Sequence, residues 1–413
     1  MARKLSREDA QTAVAGACVL ASGGGGSYQV ARQIVEQGIT ENDQINVSGL
    51  LELESDGWLT ASANMGAPDA LFKTTNPHAP TNALRAMEAE LKMMASVDPR
   101  FQGFSDFRYV LPIEVGAINT ASPLAVAAQI RRYRPDFAVI DADGAGRSIP
   151  TLNLTTFAAN GITVAPAVVA SEGLNPGASE QPLQGHAELT RYNSGVIRVS
   201  DEMAAEDAII GLVMSAPFGG IAGLAMYPMT AATLKQSAPP VPGTLSLALQ
   251  IGTILEQSTG LDRAQQVAAC VRETGRAADI IFHGRVTKVV QAQGGVDVGR
   301  IELEAADGSG VIFTVYDENE NAYAMRSDRD TPVVTGPDSI CYITAGHDPL
   351  AIDNSDLNRL YSEQPETRLE LFIMAIQAAP QMRNTVIIDN FAAVNRSLGY
   401  GGAYRPWPGT DKA

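Results

Sequence analysis

Cysteine and histidine are scarce in this chain: its 413 residues include three of the first and four of the second. Cys18, Cys270 and Cys341 stand far apart, are odd in number and form no CxxC pair. That spacing argues against a disulfide framework or a cysteine zinc site, and a reducing, cytoplasmic setting is expected. His78, His186, His283 and His347 show no HxH or HExxH spacing, and there is no GxSxG elbow. Long apolar runs are also missing. Nothing approaches the roughly 20 residues of a membrane span, and the apolar stretch 209–226 is interrupted by Pro217 and several glycines. It reads as buried core or as a subunit interface, and a homo-oligomer is expected. Arg3 and Lys4 lead into an amphipathic pattern without the apolar stretch of a signal peptide.

Positive charge is in short supply too. Thirty Lys and Arg face 46 Asp and Glu, a net charge of −16. An acidic surface repels phosphate backbones and anionic lipid, so neither nucleic acid nor membrane is an expected partner. What the chain does have is an ordinary globular balance, 45% apolar and 18% charged. Its length exceeds that at which one core keeps growing, which favours two domains.

Ser6 and Asp9 have capping-box spacing ahead of a helical pattern over 10–21. The run Ser22-Gly23-Gly24-Gly25-Gly26-Ser27 then separates it from a second helix ending at Gly38. A long helix is predicted from Thr81 or Asn82. Strands at 109–113, 137–140 and 161–164 alternate with helices at 123–133 and 152–158, which implies βαβ units and a largely parallel sheet. Helices are predicted at 243–258 and 262–274. From residue 280 to about 345 short β-rich runs between Gly and Asp turns predict an antiparallel module. The expected division is an α/β domain over 1–170 and a C-terminal region over 171–413.

Open parallel sheets bind ligands beyond the carboxyl ends of their strands. Two strands deliver polar residues there, one running into Glu114 and Asn119, the other into Asp141, Asp143 and Arg147. If the second strand persists, Asp141 and Asp143 face one side. A carboxylate pair near Glu114 could hold a divalent metal, with His78 or His186 joining it, or push one pKa up to make a general base. In the plainer alternative one aspartate caps the next turn or helix and Arg147 pairs with another. Glycines 23–26 are candidates for substrate contact. No Lys-Ser/Thr follows them and a helix precedes them, so neither a Walker loop nor a dinucleotide fingerprint is present and no nucleotide is expected. Asp69, in the turn Met65-Gly66-Ala67-Pro68-Asp69, is a further candidate for binding or for capping. Cys18 lies on the apolar stripe of Val14 and Ala21, which favours core packing, yet it sits one turn before the glycines and stays open as a nucleophile.

The segments Ser22–Gly26, Met65–Asp69, Glu114–Asn119 and Asp141–Pro150 have the order and spacing of a known family, as do His283-Gly284-Arg285-Val286 and Gly399-Tyr400-Gly401. The chain resembles the S-methyl thiohydantoin desulfurase family, formerly a hydantoin-utilisation family of unknown function. The resemblance implies a three-layer α/β N-terminal domain and a swivelling β/β/α-type C-terminal domain. It also implies hydrolytic release of methanethiol from an S-methylated thiohydantoin; by their positions Asp141, Asp143 or Glu114 are the expected catalytic residues, with Gly23, Gly24, Gly25, Gly26, Asp69, Asn119 and Arg147 around a small hydantoin-like substrate. Competing readings are a hydantoinase or oxoprolinase-type ring-opening enzyme, an accessory subunit of one, and a non-catalytic hydantoin-binding protein.

Overall fold

The computed structural model describes residues 3–66, 70, 72, 74–173, 192–292 and 298–408. Along the chain the first strands are β1 (Arg3–Leu5), β2 (Ile45–Ser48), β3 (Trp58–Gly66), β4 (Phe107–Pro112), β5 (Ala138–Ile140), β6 (Ala142–Asp143), β7 (Ala167–Ala170), β8 (Ser194–Ile197), β9 (Ile221–Thr230) and β10 (Val241–Pro242). Eight of them form one sheet in the order β1-β2-β5-β4-β3-β9-β7-β8, while β6 pairs only with β10. The central β2, β5, β4 and β3 run parallel. Alternation along these short strands feeds two cores. Val110, Val139 and Val168 point to one, and Tyr109, Leu111, Ala138, Ile140 and Val169 to the other. Helices cover both faces, giving the three layers expected.

The largely parallel character expected holds in the centre of the sheet, and the structure adds local detail around it: β9 lies antiparallel to β3 and β7. It is buried on both faces over almost its whole length, so its apolar run looks the same in either direction. The sheet also continues past residue 170 through β8 and β9. Residues 152–158 form a short 3₁₀ turn and the four-residue helix Thr156–Ala159, and the expected strand at 161–164 appears instead at β7.

The rest of the chain supplies β11 (Ala278–Ala292), β12 (Val298–Ala305), β13 (Ile312–Glu318), β14 (Glu320–Arg326), β15 (Val334–Thr335), β16 (Ser339–Thr344) and β17 (Glu370–Ile376). They make an antiparallel sheet in the order β15-β14-β13-β12-β11-β17-β16, curled into a half-barrel so that β14 and β15 approach β16. Leu371, Ile373 and Ala375 fill its inner core with Leu357 and Tyr361 of the Asn354–Glu363 helix. Phe372, Met374 and Ile376 point the other way, into the core shared with the N-terminal helices.

The Arg7–Leu20 and Thr244–Gln257 helices cross in close backbone contact. A Cβ on Gly16 would overlap the Ala248 carbonyl, and one on Gly252 the Thr12 carbonyl. Overpacking of this kind costs about 1–3 kcal/mol or more, so Gly252→Val should lower the thermal midpoint clearly. Gly211, inside the Glu202–Val213 helix, has open space where its Cβ would go. There Gly→Ala should raise stability by about 0.5–1 kcal/mol. The opposite signs, read by thermal unfolding, check the packing.

Candidate active site

A cavity of about 290 Å³ opens at the carboxyl ends of β3 and β4. The first sheet contributes Ala63–Gly66, Ile113 and Glu114, and the half-barrel contributes Asn319, Glu320 and Asp353–Ser355. Glycines 23–26 run between them, and Ile210, Val213 and Met214 supply an apolar wall.

Glu114 stands two residues past the end of β4 and is 6% exposed. Asn119 donates from Nδ2 to its Oε1 at 2.8 Å, and the Ile149 amide donates to Oε2 at 2.7 Å. The Asn119 oxygen in turn accepts from the Asn64 amide at 3.1 Å, which fixes the side-chain amide with its NH₂ toward the carboxyl. Burial pushes the Glu114 carboxyl up to about 7, against these donors, with nearby Asp143 adding to the rise. Each carboxylate oxygen can accept a second hydrogen bond, so the group is held and still able to take a proton.

Glu320 lines the same cavity, at the head of β14 just after the left-handed Asn319. Its Oε2 is buried with no hydrogen-bond partner among the described residues. Burial raises it well above the ordinary carboxylate range, Glu114 adds to that, and Arg147 and the Gly25 N–H oppose it. The glycine loop therefore turns an amide toward this carboxyl, where the sequence suggested contact with substrate. Glu206, on the Glu202–Val213 helix, also lines the cavity and is raised to about 7 by burial, although it accepts from the Leu152 amide. Burial and Asp356 raise Asp353 well above its usual range. Among the described residues the cavity lining holds no Lys, Arg or His.

The other sequence candidates lie elsewhere. β5 stops at Ile140, and the Asp141 carboxylate turns to the N-terminus of the Thr244–Gln257 helix, accepting from the amide (3.0 Å) and hydroxyl (2.5 Å) of Ser246. Asp143 is fully buried and binds the amides of Ala145 and Gly146. The two aspartates thus form no pair, and neither lines the cavity; the capping alternative describes Asp141. Arg147 is buried with each of its nitrogens on a backbone carbonyl, those of Ser148, Asp338 and Asn321. It joins the two halves instead of facing the cavity. His78 is bonded to Glu172 at 2.6 Å. Cys18 lies in the core with its thiol pushed well up by burial, the reverse of an activated nucleophile. Asp69 and His186 fall outside the described residues. Among those described, no group of three or more His, Cys, Asp or Glu comes together to hold a metal ion.

Two family models match the chain: S-Me-THD-like, N-terminal domain, over residues 8–180, and S-Me-THD-like, C-terminal domain, over 200–400. A crystal structure of a protein from Chromobacterium violaceum superposes with a TM-score of 0.77 at 27% identity, covering 98% of this chain and 100% of that one. No curated protein matches.

A carboxyl raised from 4.5 to about 7 on folding leaves the unfolded chain to ionise first. Its contribution to stability is complete below about pH 4.5 and is lost as pH rises through about 7. Glu114→Gln removes that loss. Whatever constant penalty the amide meets from the Asn119 and Ile149 donors, the stability difference between variant and parent should shift toward the variant from pH 5 to pH 8. A pH-independent difference in denaturant titrations would contradict the raised carboxyl. Asp141→Ala should cost about 1–2 kcal/mol through the lost helix cap.

Proposed function

The chain belongs to the S-methyl thiohydantoin desulfurase family, and from that premise we propose that it is a hydrolase releasing methanethiol from an S-methylated thiohydantoin. The observation that carries the reading is Glu114: a buried carboxyl poised near neutrality on a mostly apolar cavity, oriented by Asn119 and Ile149. C2 of such a ring is an isothiourea-like carbon, electrophilic enough for water. The Glu114 carboxylate accepts the proton of the attacking water as the O–C2 bond forms, and the C2–S bond breaks in the second step. One molecule each of substrate and water give one of hydantoin and one of methanethiol. The thiol is a good leaving group, so no step draws on a nucleotide. A small, largely uncharged heterocycle matches a mostly apolar cavity whose described polar side chains are carboxyls, amides and hydroxyls.

The purified protein should release thiol from S-methyl thiohydantoins, followed with a thiol reagent, and added ATP should change neither rate nor melting temperature. Ring opening in place of thiol release would move the reading to a hydantoinase-type reaction. Binding of the ring without turnover would make the chain a binding protein. Glu114→Gln should lower kcat about 10²–10⁴-fold, the usual contribution of a general base. Cys18→Ala should leave the rate within about one order of magnitude, since a buried thiol acts as a small hydrophobe. A dead but folded Cys18→Ala variant would establish thiol catalysis instead.

A further inference from the structure

The cavity carries a carboxyl that general-base hydrolysis leaves unused. Glu320 arrives from the half-barrel, lines the same cavity as Glu114, and is 6% exposed. Its Oε2 has no partner among the described residues although it is buried. The surroundings also fix its position closely. A Cβ on Gly24 would overlap the Glu320 carboxyl, and the backbone hydrogen bond from the Asn321 amide to the Ser22 carbonyl (2.8 Å) locks the strand against the glycine loop beside it.

We propose that Glu320 is the catalytic acid of this site, donating its proton to the ring nitrogen beside C2 while Glu114 takes the proton of water. This rests on the hydrolase reading and extends it. The reaction then closes without any outside proton. As the O–C2 bond forms, the water proton goes to Glu114, the Glu320 proton goes to the ring nitrogen, and the C=N π pair settles on that nitrogen. In the second step the C2–OH proton returns to Glu320 as C2=O forms. The C2–S bond breaks as that carbonyl forms, and the departing sulfur takes the proton held on Glu114 to leave as methanethiol. Both carboxyls end as they began.

The charged groups facing Glu320 support its neutral form. Glu114 and Glu206 are both carboxyls and disfavour a further negative charge. Arg147 is the opposing cation, but its nitrogens are committed to the carbonyls of Ser148, Asp338 and Asn321, and it forms no ion pair with Glu320. A neutral carboxylic acid is also the state in which the carboxyl can donate a hydrogen bond to a ligand.

The test is a pH profile of kcat/KM for the full chain, its Glu320→Gln variant and its Glu114→Gln variant, with thiol release as the readout. The parent should show a bell, with the acid limb set by Glu114 and the alkaline limb by Glu320. Glu320→Gln should lower kcat about 10²–10⁴-fold and lose the alkaline limb while keeping the acid one. Glu114→Gln should lose the acid limb. A purely structural role would reduce the folded fraction without removing a limb. Difference infrared spectroscopy at pH 8, parent minus Glu320→Gln, should show a protonated carboxyl band from position 320. Turnover by the variant within about threefold of the parent, or an alkaline limb that persists in it, overturns the proposal. If the parent releases no thiol, the hydrolase reading falls. The infrared band then decides separately whether Glu320 holds a proton, and its absence overturns the acid assignment too.

Discussion

A side chain at position 24 would take the space of the Glu320 carboxyl, and one at position 23 the space of the Asn321 side chain. The loop between the first two helices therefore meets the half-barrel backbone to side chain, with nothing in between. Three backbone bonds set it in place: Asn321 donates to Ser22, Asn354 to Gly23, and Ile118 to Gly25, all at 2.8–2.9 Å. Gly23, Gly25 and Gly26 sit at φ of +84°, +70° and +83°, conformations that cost L-residues energy. Glycine is required at this seam twice over, for shape and for dihedral angle. The cavity is a consequence of the seam, because each half contributes walls that the other closes.

Arg147 secures the same junction from behind. It lies over the Phe391 ring at 5.2 Å and donates to carbonyls of both halves. Burial without an ion pair pushes its pKa down to about 10, and carbonyl acceptors satisfy its donors without neutralising its charge. That arrangement matters to the chemistry nearby. An arginine paired directly with Glu320 would hold that carboxyl ionised. An arginine spent on backbone oxygens leaves burial to dominate, and the acids around the cavity are held above the ordinary carboxylate range.

Much of this was legible in the sequence, to different depths. Strand ends pointed to Glu114 because a position after a buried strand is where an open sheet meets its ligand. Asn119, five residues on, is one turn into the following helix and so reaches back to the carboxyl. The same rule pointed to Asp141 and Asp143 and placed them less well. Its premise was a strand that persists. β5 ends at Ile140, and the chain leaves to pair β6 with β10, so the period of two no longer applied. Asp141 then met a helix N-terminus, the commonest employment of a solitary aspartate. Glu206 and Glu320 were missed because each comes from an element far away in sequence. In Asp317-Glu318-Asn319-Glu320-Asn321 the pattern shows only a polar hairpin turn. Its one distinguishing sign is that a single turn residue, Asn319, connects two strands whose next members, Glu320 and Asn321, are buried. Such burial comes from docking, which sequence periodicity does not record.

The origin of the two acids in different halves has a consequence for the reaction. Glu114 is positioned entirely by its own half, through Asn119 and Ile149, and would keep its donors if the half-barrel moved away. Glu320 would not keep its surroundings. Its raised affinity for a proton comes first from burial, and the glycine loop of the other half packs directly on its carboxyl. Separating the halves would hydrate Glu320, let it ionise near the ordinary carboxylate range, and remove the neutral donor. The docked seam is thus what keeps one carboxyl protonated while its partner in the same cavity sits near neutrality. The acid–base asymmetry of the site and the packing of the two halves are one physical fact.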